Sequence, residues 1–291
     1  MALVLSKAEQ KFVNDGILQN VRIDGRQRDD FRAISLEQGV IPQASGSARL
    51  RLGGTDVLVG VKVEIGTPLP EHPSCGRAQF SVDVAANASL QYEGRGGEDL
   101  AAALTQALEK CFGGSSSGAG AALDPKSLGI IDGRTCWVVN VDGLVLAADG
   151  NLLDALAAAT KAALADTRVP KVTVVGGTSA EDVADFEVNE DPSTCLPLDM
   201  QAVPVVVTLR QCNRHYYLDV NAQEEALDHP GLSVSLNASG TIVGLLKCGG
   251  AGLDPSVMRE MMEVAQKIGR ELHKAVDSYQ PAQEEEEEMG E

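Results

Sequence analysis

Residues 44–68 read ASGSARLRLGGTDVLVGVKVEIGTP and predict a β-hairpin. Apolar and polar residues alternate on both sides of Gly53-Gly54, as expected for two strands that each bury one face. Glycine takes a positive φ at no steric cost, so this pair favours a tight turn between the strands. The residues expected on the buried face are Ala48, Leu50, Leu52, Val57, Val59, Val61 and Val63.

The rest of the chain alternates between helix and strand patterns. A first helix is predicted within residues 1–20, and a second begins at Glu98-Asp99 and ends at Gly113-Gly114. A third is predicted to be capped by Asn151 and to bury one face. A long fourth helix begins at Asp254-Pro255, where Asp is the cap and Pro lies in the first turn. The further predicted strands are Phe80–Ala86, Cys136–Leu146, Lys171–Val175, Val203–Leu209, Tyr216–Asn221, Leu232–Asn237 and Thr241–Lys247.

Strand hairpins followed by helices occur twice, which predicts an α+β fold with two pseudo-symmetric sheet-plus-helix halves. An acidic, irregular connection separates the halves, and the composition after Ser278 predicts a disordered acidic tail. The predicted divisions are 1–30 for an N-terminal helix and arm, 31–175 for the first half, 176–200 for the acidic connection, 201–277 for the second half and 278–291 for the tail.

The chain is acidic and poor in aromatic residues. Its 291 residues carry a formal charge of −18, with six acidic residues in the last eight positions. Such a chain is a poor stand-alone binder of phosphate backbones, and an aromatic content of 3% argues against base stacking on exposed rings. RNA contact would therefore need a local basic patch or neighbouring chains. The sequence also predicts no membrane span and no secretory signal.

Cysteine and histidine spacing predicts neither a metal site nor a cofactor. No two of the six cysteines lie within four residues, so zinc knuckles and Cys-x-x-Cys redox pairs are absent. Scattered cysteines of this kind are typical of buried small side chains in a reducing compartment. The four histidines lack the four-residue spacing of a helical metal site, and no Gly-x-Ser-x-Gly elbow indicates a serine hydrolase.

Two glycine-rich segments each allow two interpretations. The loop at 113–122, GGSSSGAGAA, is typical of a flexible linker, but a similar loop cradles phosphate in kinases of the galactokinase type. Arg95 lies between glycines in YEGRGGED, so its guanidinium could hold a phosphate. The alternative is an arginine on a solvated loop, because the acidic neighbours weaken the local field.

The hairpin resembles the first hairpin of the ribonuclease PH family in its Gly-Ser-Ala, Gly-x-Thr and Gly-Val-Lys steps. Three further motifs match: Asp24-Gly25-Arg26, EGRGGE at 93–98 and GGAGLDP at 249–255. The similarity covers about residues 20–275. It implies the ribonuclease PH fold, in a family that contains both RNA-degrading enzymes and catalytically silent ring subunits.

The resemblance fails where active members bind phosphate. They carry a Thr/Ser-Arg pair after Gly-Gly at the start of the second helix of the fold. The matching segment here is Asp149-Gly150-Asn151-Leu152-Leu153, so Leu152-Leu153 replaces the pair. Leucine donates no hydrogen bond and carries no charge, so a phosphate dianion there would be unpaired.

The resemblance also fails at the catalytic carboxylates. Active members place two aspartates six residues apart in the connection between the halves, where they manage charge at the scissile phosphate with Mg²⁺. Here Asp191 is followed by Pro197 at the sixth position, and Asp199 is displaced by two residues. Proline is neither a general acid nor a metal ligand. We therefore expect no catalytic residue and no bound metal in this chain.

The resemblance then implies a non-catalytic subunit of the RNA exosome ring. Its partners would be homologous ribonuclease PH-type subunits in a six-membered ring, cap subunits, a separate hydrolytic nuclease and RNA, with Arg95 as the expected RNA contact. The implied locations are nucleus, nucleolus and cytoplasm. Two alternatives remain open: an active phosphate-dependent 3′-to-5′ exoribonuclease, and a small-molecule kinase that depends on the 113–122 loop.

Overall fold

The first half of the chain forms a six-stranded sheet. The computed structural model describes residues 5–89, 92, 96–113, 121–175, 185–189, 191 and 194–279. The strands of this sheet are β1 (Ile34–Gln38), β2 (Gly46–Leu52), β3 (Thr55–Gly66), β4 (Arg77–Val84), β5 (Gly129–Ile131) and β6 (Thr135–Ala147). They are ordered β1-β2-β3-β6-β4, and β5 pairs with β6.

The predicted hairpin at 44–68 is confirmed as β2 and β3. Leu50 pairs with Val57 and Ala48 with Val59, in antiparallel register. Gly53 has a φ of +58°, the left-handed conformation that the turn requires. The apolar residues of the predicted buried face have exposures of 3% or less, except for the half-buried Val63. They form the core of the first half because every second side chain of a strand points to the same face.

The second half forms a four-stranded antiparallel sheet in the order β12-β11-β13-β14. Its strands are β11 (Val205–Cys212), β12 (His215–Leu218), β13 (Gly231–Leu236) and β14 (Ile242–Cys248). The helices of the chain are α1 (Lys7–Leu18), α2 (Gly96–Phe112), α3 (Leu152–Asp166), α4 (Ala222–Glu225) and α5 (Pro255–Ser278). Asp254 caps α5 by accepting the Ser256 N–H, which confirms the predicted start of this helix.

Helix α3 departs from its predicted one-sided burial. Two sheets enclose it, since it contacts β2 and β3 on one side and β11 on the other, and α5 also packs against it. Leu156, Ala157, Ala159 and Ala162 are therefore all 1% exposed or less. The sequence pattern underestimated this burial because small alanines fill every side of the helix.

Asn151 is the N-cap residue of α3, as predicted, but it does not cap the helix with its side chain. Asn151 has a φ of +54° and makes no side-chain cap hydrogen bond. Its side-chain amide instead donates to the Asp219 carboxylate across the molecule, at 3.1 Å. A tertiary partner has replaced the local one that the sequence predicted.

The connection between the halves is more regular than expected. Two small antiparallel sheets lie in it or beside it: β7 (Arg168–Val169) pairs with β10 (Leu196–Pro197), and β8 (Val172–Val175) pairs with β9 (Asp185–Val188). The strand predicted at Phe80–Ala86 is β4, which starts three residues earlier and lies parallel to β6. Among the described helices, none is both long and apolar enough to cross a membrane.

Candidate functional site

The turn that begins α3 is the candidate site that the sequence singled out. Leu152 is its first helical residue and is only 7% exposed, and Leu153 packs against the core. Gly150 and Asn151 precede it with φ values of +78° and +54°. A Cβ on Gly150 would lie 2.5 Å from the Val220 carbonyl oxygen. Only glycine fits here, so the turn lies directly against the second half.

Asp219 is the anion at the centre of this region. It is fully buried and has a φ of +47°. The Arg32 guanidinium donates to it from Nη2 at 2.8 Å and from Nε at 3.0 Å, and the Arg32 backbone N–H donates at 2.7 Å. Arg26 Nη1 and the Asn151 amide add contacts at 2.9 and 3.1 Å. Several donors therefore share one carboxylate, which gives the charge-assisted bonds that burial of an anion requires.

A second buried ion pair extends this network into the N-terminal arm. Arg22 and Glu224 form a bidentate pair whose side chains are both 0% exposed, with Nε 2.8 Å from Oε1. Burial acts to lower the pKa of Arg22, but the hydrogen bond and charge of Glu224 outweigh it and raise that pKa. Arg22 also donates to the carbonyl oxygens of Leu218 and Asp219. The arm is thereby fixed to the second half.

The network also fixes the α3 turn. Arg32 Nη1 donates to the Asp149 carbonyl oxygen at 2.6 Å, and Thr55 Oγ1 donates to the Gly150 carbonyl oxygen at 2.8 Å. Arg22, Arg26 and Arg32 are each paired with a carboxylate of the chain. The cations nearest to the turn thus already have internal anionic partners. We use the name arm–turn network for the set Arg22, Arg26, Arg32, Thr55, Asp149, Asn151, Asp219 and Glu224.

Asp154 is a buried carboxyl group that the sequence analysis missed. It lies in the first turn of α3, where Oδ2 accepts the Thr208 N–H at 2.8 Å and Oδ1 accepts the Thr208 hydroxyl at 2.6 Å. Burial raises the pKa of Asp154 to about 7, although the Thr208 hydrogen bonds act to lower it. An acidic residue inside an alanine- and leucine-rich helix was the available sequence signal.

The position that the resemblance matches to the second catalytic aspartate lies at the other end of α3. Pro197 pairs with Arg168, two residues after the last residue of α3. The 15 residues of α3 separate this end from Leu152 by about 20 Å. The Asp199 carboxylate accepts the Gln201 N–H at 3.0 Å, and the Asp191 carbonyl accepts from Thr194. The structure therefore does not bring Pro197 and Leu152 together in one site.

Of the other candidate residues, some lie outside the described residues and others are engaged inside the fold. Arg95 and residues 114–120 of the glycine-rich loop lie outside the described residues. His229 Nδ1 lies 2.8 Å from the Tyr217 hydroxyl, and His273 Nδ1 lies 2.6 Å from Lys161 Nζ, so both are engaged inside the fold. Within the described part of the chain, no group of three or more His, Cys, Asp or Glu residues could hold a metal ion.

Two family profiles match the chain in the order of its two halves. The profile for the 3′ exoribonuclease family, domain 1, matches residues 30–170, and that for domain 2 matches residues 202–268. The chain belongs to the 3′ exoribonuclease family. The ribonuclease PH resemblance and the α+β ribonuclease PH fold are thereby confirmed.

Relatives within this family are named as exosome proteins. The RRP42 protein of Dictyostelium discoideum is 32% identical, over 94% of this chain and 97% of its own length. The exosome complex component Rrp42 of Methanothermobacter thermautotrophicus is also 32% identical, over 86% of each chain.

Solved exosome structures contain similar chains. A chain of an archaeal exosome core has a TM-score of 0.72 and 28% identity, over 93% of this chain and 96% of that one. A chain of the Archaeoglobus fulgidus exosome with RNA bound to the active site has a TM-score of 0.73 and 29% identity, over 92% and 97%. The similarity therefore spans both halves and not a single motif.

Proposed function

We propose that this chain is a non-catalytic subunit of an RNA exosome ring, where it supports 3′-to-5′ RNA processing and degradation and helps to form an RNA channel. Family membership over both halves and the near-complete match to chains of archaeal exosome cores support this. Its partners are homologous ribonuclease PH-type subunits in a six-membered ring, cap subunits, a separate hydrolytic nuclease and RNA. Nucleus, nucleolus and cytoplasm are its proposed locations.

The α3 turn carries the proposal that the chain is not itself an enzyme. The family resemblance matches Leu152 and Leu153 to the positions at which active members hold phosphate, and Leu152 is buried. Arg26 and Arg32 are paired with Asp219, and Arg22 with Glu224, so a phosphate that sought these arginines would have to compete with internal carboxylates. Binding a dianion against leucine and without a free cation is unfavourable.

The second locus supports the same conclusion. Pro197, at the position that the resemblance matches to the second catalytic aspartate, supplies no side-chain oxygen ligand for Mg²⁺. The Asp199 carboxylate already accepts a backbone N–H. The residues described here therefore do not fit a Mg²⁺ site that acts together with a phosphate pocket at the turn.

We propose Arg95 as the RNA contact of this chain. We also propose that the chain is divided at the boundaries given above, 1–30, 31–175, 176–200, 201–277 and 278–291. Glycines on both sides of Arg95 leave room for a phosphate to approach. The test is ultraviolet cross-linking of RNA to the assembled ring with Arg95→Ala, against Arg134→Ala as a control of equal charge change. The expected result is a selective loss of cross-linking to the Arg95→Ala subunit.

Assembly and catalysis are tested separately. Affinity purification of the tagged full chain followed by mass spectrometry should recover homologous ribonuclease PH-type chains in near-equal amounts. The purified chain should not shorten single-stranded RNA in the presence of inorganic phosphate. Phosphate-dependent shortening by the chain alone would establish the alternative, an active exoribonuclease.

A double variant tests whether the phosphate pocket at the α3 turn has been lost or still works. Leu152→Thr with Leu153→Arg restores the family's pair, and we expect no gain of phosphorolysis because the second locus stays unchanged. A decrease from measurable wild-type activity would instead identify a working pocket. We expect no detectable ATP binding by the wild type or by a variant that lacks residues 114–120. A kinase would bind ATP, and the deletion would abolish that binding.

A further inference from the structure

A cavity distant in sequence from the arm–turn network forms a second candidate binding site. Its volume is about 270 Å³, and it lies between the start of β4, the end of α2 and residues 121–128. We propose that this cavity binds a carboxylate attached to a small apolar body. The proposal is independent of any role in a ring, since it rests on this cavity alone.

The walls of the cavity are apolar and firmly held. Phe112, Leu123 and Leu128 line it and are 2%, 7% and 3% exposed. The Phe112 ring packs on Phe80 with centroids 5.5 Å apart. An engineered apolar cavity of about 150 Å³ accepts benzene, so the space here holds a somewhat larger group.

The backbone fixes the shape of one wall. The Gly76 N–H donates to the Pro125 carbonyl at 2.8 Å, and the Trp137 N–H donates to the Leu128 carbonyl at 2.8 Å. A Cβ on Gly76 would lie 2.8 Å from the Leu128 carbonyl oxygen, so the residue before β4 and the 121–128 segment are in close backbone contact. The cavity is thus largely preformed, as ligand sites usually are.

Arg77 supplies the feature that calls for an anion. It lines the cavity as a cation, and no ion pair joins it to a carboxylate of the described residues. A carboxylate oxygen is the partner that best matches a guanidinium edge, because two parallel N–H···O bonds can form.

The charged residues that line the cavity also favour an anionic ligand. Lys126 adds a second cation, and within the described chain no ion pair joins Arg77 or Lys126 to a carboxylate. The one carboxylate of the lining, Asp124, accepts the Lys126 backbone N–H at 3.0 Å through Oδ1. A ligand with one negative charge and an apolar body therefore complements both the Arg77 edge and the apolar walls.

The experiment uses three small probes with the full chain. N-acetyl-leucine imitates the C-terminal residue of a polypeptide, hexanoate is a simple acid, and N-acetyl-leucinamide has the same apolar body without the carboxylate. Binding is measured by saturation-transfer NMR and calorimetry. We expect saturable binding of at least one acid, at least ten-fold tighter than the amide. N-acetyl-leucine alone would point to a polypeptide C-terminus, and hexanoate alone to a small-molecule acid.

Three variants locate the binding. Arg77→Gln should weaken the acid at least ten-fold, and Arg77→Lys should weaken it because the planar guanidinium that matches a carboxylate is lost although the charge remains. Ala78→Leu should reduce binding by filling the cavity. Arg259→Gln removes an exposed arginine on α5 and should leave binding unchanged. Circular dichroism and urea unfolding check that each variant is folded.

Several results would overturn the proposal. They are the absence of saturable binding of either acid, equal binding of the amide, or full binding by folded Arg77→Gln protein. None of these outcomes bears on ring assembly, which is measured by co-purification. The two proposals therefore fail independently.

Discussion

Arg32 and Asp219 form a buried ion pair in which Nη2 lies 2.8 Å from Oδ1 and Nε lies 3.0 Å from Oδ2. The arginine precedes the first sheet and the aspartate follows β12 of the second sheet. Because Arg26 of the arm and Asn151 at the α3 turn donate to the same carboxylate, one anion joins the arm, the first half and the second half. The relative placement of these three parts therefore depends on Asp219.

We predict that Asp219→Ala destabilises the fold by about 3–5 kcal/mol, the usual cost of removing one partner of a buried ion pair. Two arginines and the Asn151 amide would lose their common acceptor. The measurement is urea unfolding followed by circular dichroism at pH 7.5. Glu263→Ala is the control, because its pair with Arg259 is exposed and should contribute less than about 1 kcal/mol. Equal effects of the two substitutions would contradict the assigned role.

Asp154 gives a pH dependence of known sign. Its pKa is raised to about 7 in the folded state, so between its ordinary value and pH 7 the folded protein binds the extra proton. Stability from this group is complete only below its ordinary pKa of 3.8 and is lost as the pH rises towards 7, by up to about 1.4 kcal/mol per pH unit. Relative to Asp154→Asn, the wild type should therefore lose stability from pH 4.5 to 7.

Asparagine suits this test because it can keep both contacts. Its Oδ1 can accept the Thr208 N–H, and its amide can donate to the Thr208 hydroxyl, which then donates to Ser233. Asp154→Ala leaves Thr208 without its partner and should be destabilising at every pH. Parallel stability curves for the wild type and Asp154→Asn would show that the carboxyl does not titrate as described.

His273 gives the stability of the fold the opposite dependence on pH. Its Nε2 lies 2.8 Å from the Leu236 carbonyl oxygen, so Nε2 carries the proton and Nδ1 accepts from Lys161. Burial lowers the pKa of His273, and the nearby Lys161 charge lowers it further, whereas the Leu236 bond and Asp277 raise it. The folded state therefore binds fewer protons than the unfolded state, and stability falls as the pH drops below about 6.5.

We expect His273→Gln to remove this loss, because the Gln amide can still donate to Leu236. The comparison is urea unfolding at pH 5 and pH 7.5. The difference between the variant and the wild type should favour the variant at the lower pH. If the difference is the same at both values, His273 does not contribute to acid sensitivity.

Two strand glycines should respond differently to alanine. A Cβ on Gly46 would lie 2.6 Å from the Ala163 carbonyl oxygen, at the C-terminal end of α3. Backbone cannot move aside cheaply, so Gly46→Ala should cost about 1–3 kcal/mol or more. Gly60→Ala meets only Ile41 Cδ1 at 3.4 Å and should be neutral or stabilising by up to about 1 kcal/mol. Thermal unfolding of both variants measures the two changes in stability. If Gly60→Ala were more destabilising than Gly46→Ala, the close contact of β2 with α3 would be refuted.

The sequence predicted those parts of the fold that have local causes. Alternating apolar residues fixed both strands of the hairpin, and the glycine pair fixed its turn. The start of α5 was equally local, since Asp254 bonds within its own first turn. In each case the partners are close in sequence, so their pattern is visible without knowledge of the tertiary structure.

The features that were missed depend on residues far apart in the chain. Asn151 forms its bond with Asp219, 68 residues away, and Asp154 is satisfied by Thr208, 54 residues away. No periodicity or spacing rule contains such pairs. Motif matching likewise could not show that Pro197 pairs with Arg168, beyond the C-terminal end of α3.

The enclosure of α3 between two sheets has a consequence for biosynthesis. Ribosomes make the first half before β11, the strand that covers the second side of this helix. A nascent chain that has reached only α3 therefore leaves a stripe of alanine and leucine uncovered. This side of the helix is buried only after β11 has been made, and exposed apolar surface of this kind favours aggregation or chaperone binding in the interval.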